Sequence, residues 1–131
     1  MRIIKFRAWD KVNNQMHERV TQINYWSGQL TSVDVGITIL RESNFELMQF
    51  TGLTDKTGKE IYEGDVMQPK DMHDSNIDYW HMTNGRAIPH PRIVEWKKVG
   101  FNIPEDVEYW EVIGNIYENP ELLTNPHDTN K

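Results

Sequence analysis

The sequence predicts a mainly β fold, a small barrel with an N-terminal β-hairpin region before it and a short C-terminal helical turn after it. Three observations carry that reading. Apolar and β-branched residues recur with period two rather than 3.6. Asn, Asp and Gly punctuate the chain at short intervals, as tight connections between short strands require. The run with helix-start chemistry near the C-terminus has room for one or two turns before Asn125-Pro126.

Each element follows in order. Ile4, Phe6 and Ala8 alternate with Lys5, Arg7 and Trp9, the signature of a half-buried first strand. Asp10 to Gln15 forms the turn, because Asn tolerates the positive φ of tight hairpins. Met16 to Trp26 returns as its partner strand, with Val20, Ile23 and Tyr25 apolar, and Ser27-Gly28 breaks the chain. Leu30 to Leu40 is rich in Thr, Val and Ile and reads as strand, with Gly36 marking a bulge or bend. Phe45 to Thr51 is a further strand, and Asp55-Lys56-Thr57-Gly58-Lys59 closes a short hairpin behind it. The Asp-Lys pair also opens the turn at Asp10-Lys11, but the flanks differ, so these are two turns and not an internal repeat.

Glu60 to Met67 resumes extended chain around a corner at Gly64-Asp65. From Gln68 to Pro91 the pattern dissolves into Pro, Gly, Asp, Asn and three His, a connection long enough to suggest a functional or mobile loop. Strand pattern returns at Arg92–Trp96, Gly100–Ile103 and Tyr109–Tyr117. Asn119-Pro120-Glu121 then supplies a cap, a first-turn proline and an acid at the positive helix end. The resulting organisation is an N-terminal hairpin and strand region at 1–50, a barrel region at 51–123 with a long loop at 68–91, and a frayed tail at 124–131, all in one compact unit. Residues Tyr62 to Tyr117 resemble an SH3-like barrel, a fold analogy that does not fix function.

The 131 residues allow one domain whose five Trp and five Tyr compensate a hydrophobic content of 37%. The absence of Cys removes disulfides, thiolate metal sites and Cys nucleophiles, and fits a reducing compartment. Charges inside the apolar run Met1 to Arg7 leave no signal-peptide core, and no stretch approaches a membrane span, so the expectation is a cytoplasm-type soluble protein with no membrane partner. The net charge of −6 is uneven: no Lys or Arg occurs between Val99 and Asn130, where seven acids fall. An acidic chain is a poor counter-charge for phosphate, which disfavours nucleic acid as the main partner.

Four constellations carry potential chemistry. The loop residues Asp71, His73, Asp74, Asp78 and His81, with His90 beyond, are ligand types for Zn, Mn or Fe, but their spacing matches no recognised site. Ser75 beside His73 and Asp74 lacks the flanking turn and oxyanion donors of a nucleophilic triad. Glu60, Glu63 and Asp65 have the residue types of an acid–base pair, yet their turn-and-corner setting makes solvated or capping roles simpler. Tyr79, Trp80 and Arg86, or Trp9 with Lys5 and Arg7, have the aromatic-plus-basic composition that stacks on single-stranded nucleic acid. No catalytic, cofactor-binding or metal-ligating residue is therefore assigned from sequence, and no cofactor is expected.

Three blocks stand out: Lys5 to Asp10, Met48 to Val66, and Val94-Glu95-Trp96 with Gly100-Phe101 and Glu111 to Leu123. In residues and in order they resemble the YopX protein family of bacteriophages and prophages. The resemblance implies a β-rich phage or prophage accessory protein of the host cytoplasm, and brings no activity and no catalytic residue with it. The stretch Gln68 to Pro91 is longer than the family's usual connection. The matched residues also read as a folding signature, since Gly52, Gly58, Gly64 and Gly114 sit where reversals or close approaches are wanted. The functional expectation is a non-enzymatic protein working through protein contacts, with homo-oligomerisation expected from open sheet edges and aromatics. A nucleic-acid-binding small barrel in phage DNA metabolism is the alternative, and a metal-dependent hydrolase using the loop His and Asp residues comes third.

Overall fold

The computed structural model describes residues 3–69, 91–104 and 107–123. The chain divides into two compact units, Met1–Leu53 and Thr54–Lys131. Both are built from strands, and the helical content among the described residues is two 3₁₀ turns. The fold is mainly β, as expected.

In the first unit β1 (Phe6–Asp10) pairs antiparallel with β2 (Gln15–His17) on one side and β6 (Phe45–Thr54) on the other. A second sheet holds β3 (Gln22–Trp26), β4 (Gln29–Val35) and β5 (Thr38–Arg41) in that order. The core is formed by Ala8 and Phe45 from the first sheet and Val33 and Leu40 from the second, with Ile23, Leu30, Val35 and Leu47 packed around them. Registry explains this set: Ile23, Val33 and Leu40 lie opposite one another across three strands, so the pleat sends all three to one face. Each such aliphatic, once buried, stabilises the unit by about 1.5–3 kcal/mol.

Three sequence expectations change here. Met16 to Trp26 is not one strand: β2 ends at His17, and the chain crosses to the second sheet, where Thr21 N–H donates to Asp34 O at 2.8 Å. The bulge falls at Thr31 of β4, opposite Asn24 and Tyr25, and not at Gly36. Gly36 instead opens a two-residue turn that splits Leu30–Leu40 into β4 and β5, with φ +79° at its first central position. Finally, β1 does not alternate buried with exposed. Arg7, Ala8 and Asp10 are all buried, on both faces of the pleat.

The turns carry the conformations their residues permit. Asn14 has φ +51°, and Ser27 and Gly28 have φ +51° and +79°, the double positive of a type I′ hairpin between β3 and β4.

The second unit contains β7 (Glu60–Tyr62), β8 (Asp65–Pro69), β9 (Arg92–Ile93), β10 (Trp96–Lys97), β11 (Gly100–Phe101) and β12 (Trp110–Asn115). β8 lies between β12 and β9, while β10 and β11 form a separate hairpin. Ile61, Met67, Val94 and Trp110 make the core, lined by Phe101, Ile103, Val107 and Val112. Between Val112 and Gly114 the β12–β8 register shifts, so Ile113 is the extra residue of a bulge. Gly114 then sits under the final 3₁₀ turn, Pro120–Leu123: a Cβ there would lie 2.7 Å from Leu122 Cδ1 and closer still to Asn119 Oδ1. Any side chain there would have to displace Asn119 and Leu122. Among the described residues no helix is long and apolar enough to cross a membrane.

Candidate functional site

Buried acids are where chemistry is usually sought, and here they hold turns. Asp10, at the end of β1, is 2% exposed. Its Oδ1 accepts from the N–H groups of Val12 (3.0 Å) and Asn13 (3.2 Å), and its Oδ2 from Asn13 Nδ2 (2.9 Å). His17 Nε2 stands 3.5 Å from Oδ2, at the outer limit of a hydrogen bond. The Asn13 side-chain bond holds this carboxyl below its ordinary range, against the opposing effect of burial and with help from the two N–H donors and His17.

Asp55 repeats the device in the second unit. Its Oδ1 accepts from Thr57 N (2.8 Å), Thr57 Oγ1 (2.7 Å) and Lys59 N (2.9 Å), closing the Asp55–Lys59 turn. Its Oδ2 accepts from Val112 N at 2.8 Å, which fastens the turn to β12, and Lys56 N–H adds a bond to Trp110 O at 3.0 Å. Burial pushes the Asp55 carboxyl upward, and the bonds from Val112, Thr57 and Lys59 outweigh it, so the pKa is lowered. A carboxylate saturated with donors and held ionised has no spare basicity for proton transfer near neutral pH. These two Asp residues are structural.

The residues singled out from sequence are not gathered into a reactive set. Asp65, 1% exposed, accepts from Tyr62 N–H at 2.8 Å and so braces the Gly64 corner, where Gly64 has φ +85°. Tyr62 Oη donates to Glu60 Oε1 at 3.4 Å, a weak contact, and Glu63 is half-buried. Of the first-strand group, Arg7 is buried and Lys5 Nζ lies 4.8 Å over the Phe50 ring, so the two cations do not form an open face beside Trp9. His73, Asp74, Ser75, Tyr79, Trp80, His81, Arg86 and His90 lie outside the described residues. Among the described residues no three His, Asp or Glu side chains are grouped to hold a metal.

What stands out instead is exposed aromatic surface on two hairpins. In the first unit Trp26 is 77% exposed at the β3–β4 turn, with Tyr25 beside it. In the second, Trp96 on β10 is 61% exposed and meets Phe101 on β11 edge-on, ring centroids 4.9 Å apart. Val99, at the tip between them, is almost wholly exposed. Phe101 turns into the core while Trp96 stays out, so the pair anchors an aromatic surface on a fixed hairpin. Sequence reasoning counted Tyr25 as an apolar strand residue and gave Trp96 the spacing of a β core. The available signal was their adjacency to turns, where a strand outruns the surface that would cover it.

Comparison with known proteins follows the same architecture. The chain is similar to the crystal structure of protein EF1440 from Enterococcus faecalis, with a TM-score of 0.66 and 26% identity over 95% of this chain and 100% of that one. It shares its fold with the crystal structure of protein yopX from Bacillus subtilis, with a TM-score of 0.53 and 22% identity, covering 92% of this chain and 96% of that one. No curated protein matches. The family model described as YopX protein matches residues 5–124, a span containing both buried-Asp turns, the Gly114 bulge and both aromatic hairpins; the chain belongs to the YopX protein family.

Proposed function

We propose that this protein is a phage or prophage accessory protein of the bacterial cytoplasm that works through protein–protein contacts or self-association, not catalysis. The observation that carries the reading is the pair of rigid hairpins presenting Trp26 with Tyr25, and Trp96 with Val99, to solvent. Tryptophan and tyrosine dominate the energetics of protein interfaces because each buries a large area at low entropic cost. The buried acids support the reading, since their lone pairs are spent on turns. In this reading the strands from Tyr62 to Tyr117 serve as an SH3-like scaffold for the second hairpin.

Affinity capture from infected or prophage-induced host cells tests it, comparing the wild-type chain with Trp26→Ala and Trp96→Ala. A hot-spot tryptophan is worth about 2 kcal/mol or more, so at least one variant loses its captured protein roughly thirty-fold. If nucleic acid co-purifies instead, and binds with a salt-sensitive affinity tighter than about 10⁻⁴ to 10⁻⁶ M, the nucleic-acid-binding reading replaces this one. A stoichiometric transition metal in untagged protein would favour the metal-dependent hydrolase.

A further inference from the structure

The outer strand β5 offers a specific self-pairing surface. β3 and β5 flank β4 in the second sheet of the first unit. The β3–β4 ladder is interrupted opposite Asn24 and Tyr25, where Thr31 of β4 is the extra residue of a bulge that increases the local twist along β3. β5, Thr38-Ile39-Leu40-Arg41, has no bulge and no proline. Among the described residues no strand pairs with its outer side.

Hydrogen-bond parity says which groups face outward. Residues along an antiparallel strand alternate between bonding the neighbour and pointing away from it. Glu42 N–H donates to Thr31 O of the β4 side at 2.8 Å, so positions 42, 40 and 38 bond inward. Ile39 and Arg41 therefore direct their backbone groups to the open edge. Arg41 O is already an acceptor for Asn44 N–H at 3.0 Å. Among the described residues, what remains on offer along this edge is Ile39 N–H and C=O, Arg41 N–H, and the carbonyl of Ile37.

That set is complementary to itself. We infer that two copies of this chain pair β5 with β5 antiparallel about a two-fold axis at Ile39, joining their three-stranded sheets into one continuous sheet. Ile39 exchanges both backbone bonds with Ile39 of the second copy. Arg41 N–H donates to Ile37 O of the second copy, and the reciprocal bond completes four. The register places Arg41 opposite an isoleucine, so no like charges meet. It also brings together Ile37, fully exposed, and Ile39, 49% exposed, the apolar side chains that a lone chain leaves in water at this edge. A two-fold arrangement closes, which makes a dimer and not a fibre. The inference rests on the self-association arm of the proposed function and gives it a geometry.

Ile39→Pro tests it, because proline removes the outward N–H while leaving the β4 ladder intact. Ile39→Lys provides a second, non-proline disruption of the kind natural edges use. Light scattering over a concentration series should give twice the 15.5 kDa chain mass for wild type and the single mass for both variants, with unchanged circular dichroism. Residue-resolved hydrogen exchange on wild type covers the case in which a variant unfolds: the Ile39 and Arg41 amides should gain protection as concentration rises. A wild-type monomer up to the solubility limit, a dimer that survives both substitutions, or a dimer whose Ile39 amide exchanges freely would each overturn the pairing. A monomer that still captures a host protein through Trp26 or Trp96 refutes the edge pairing alone. A dimer that captures nothing refutes the hairpin contacts alone.

Discussion

Replacing Asp55 with alanine isolates the energetic weight of a single turn acid. The substitution strips the acceptor from four donors: Thr57 N, Thr57 Oγ1, Lys59 N and Val112 N. Bonds to a charged acceptor contribute about 1.5–3 kcal/mol each, but donors that regain water recover most of that. Thr57 and Lys59 are exposed and their groups rehydrate, whereas Val112 N–H sits in a strand that lines the core, where water is less available to replace the lost acceptor. One orphaned strand N–H plus a loosened turn therefore costs about 3–4 kcal/mol, a large share of the roughly 5–15 kcal/mol that holds a domain folded. Urea unfolding followed by Trp fluorescence measures it. Asp55→Asn keeps an acceptor for the turn and should lose less. A loss below about 1 kcal/mol for Asp55→Ala would refute the claim that this carboxylate fastens the turn to β12.

The same side chain gives a pH dependence whose sign is determined. Its folded pKa lies below the ordinary 3.8, so the unfolded chain takes up the proton first as acid is added. The stabilisation is complete above the unfolded value and fades as pH falls through it towards the folded one. Stability of the wild type should therefore decline on the acid side of about pH 5, and Asp55→Asn should flatten that decline.

Other outcomes follow from particular contacts. Gly114→Ala drives a methyl into Asn119 and Leu122 and should destabilise by about 1–3 kcal/mol, read as a lowered Tm; an unchanged Tm would mean that the final 3₁₀ turn is loosely held. Ser27→Gly relieves a left-handed residue at φ +51°, worth about 1–2 kcal/mol, against an entropic cost of about 0.5–1 kcal/mol for glycine, so a small net gain in Tm is expected. Trp26→Ala should leave stability within about 0.5 kcal/mol, because most of its ring is already in water, which separates its contact role from a folding role.

Much of the fold could be read before any coordinates. The turn at Asp10–Gln15 and the Asp55–Lys59 hairpin were legible because Asx and Gly residues act locally: Asn14 and Gly58 need no tertiary context to adopt φ +51° and +90°. The role of Gly114 was legible as a close approach, though not what approaches it. The division of Leu30–Leu40 was hidden because Gly36 inside a β-branched run suits a bulge as well as a hairpin turn, and only the pairing of Val35 with Thr38 separates the two. The Asp55–Val112 bond joins positions 57 apart in sequence, and no local pattern announces it. The aromatic surfaces were hidden for a related reason. Hydrophobicity reports that a residue favours burial, not whether a neighbouring element arrives to cover it.

Two kinds of determination are thus distinct in this protein. Residue chemistry alone determined the β class, the tight turns and the family resemblance, since period-two patterning and positive-φ residues constrain the backbone within a few positions. The tertiary structure decided which acids are spent on bracing, which aromatics remain in solvent and which strand is left at an edge. Those depend on what packs beside a residue from far along the chain, a property of three-dimensional neighbourhood that local sequence does not encode.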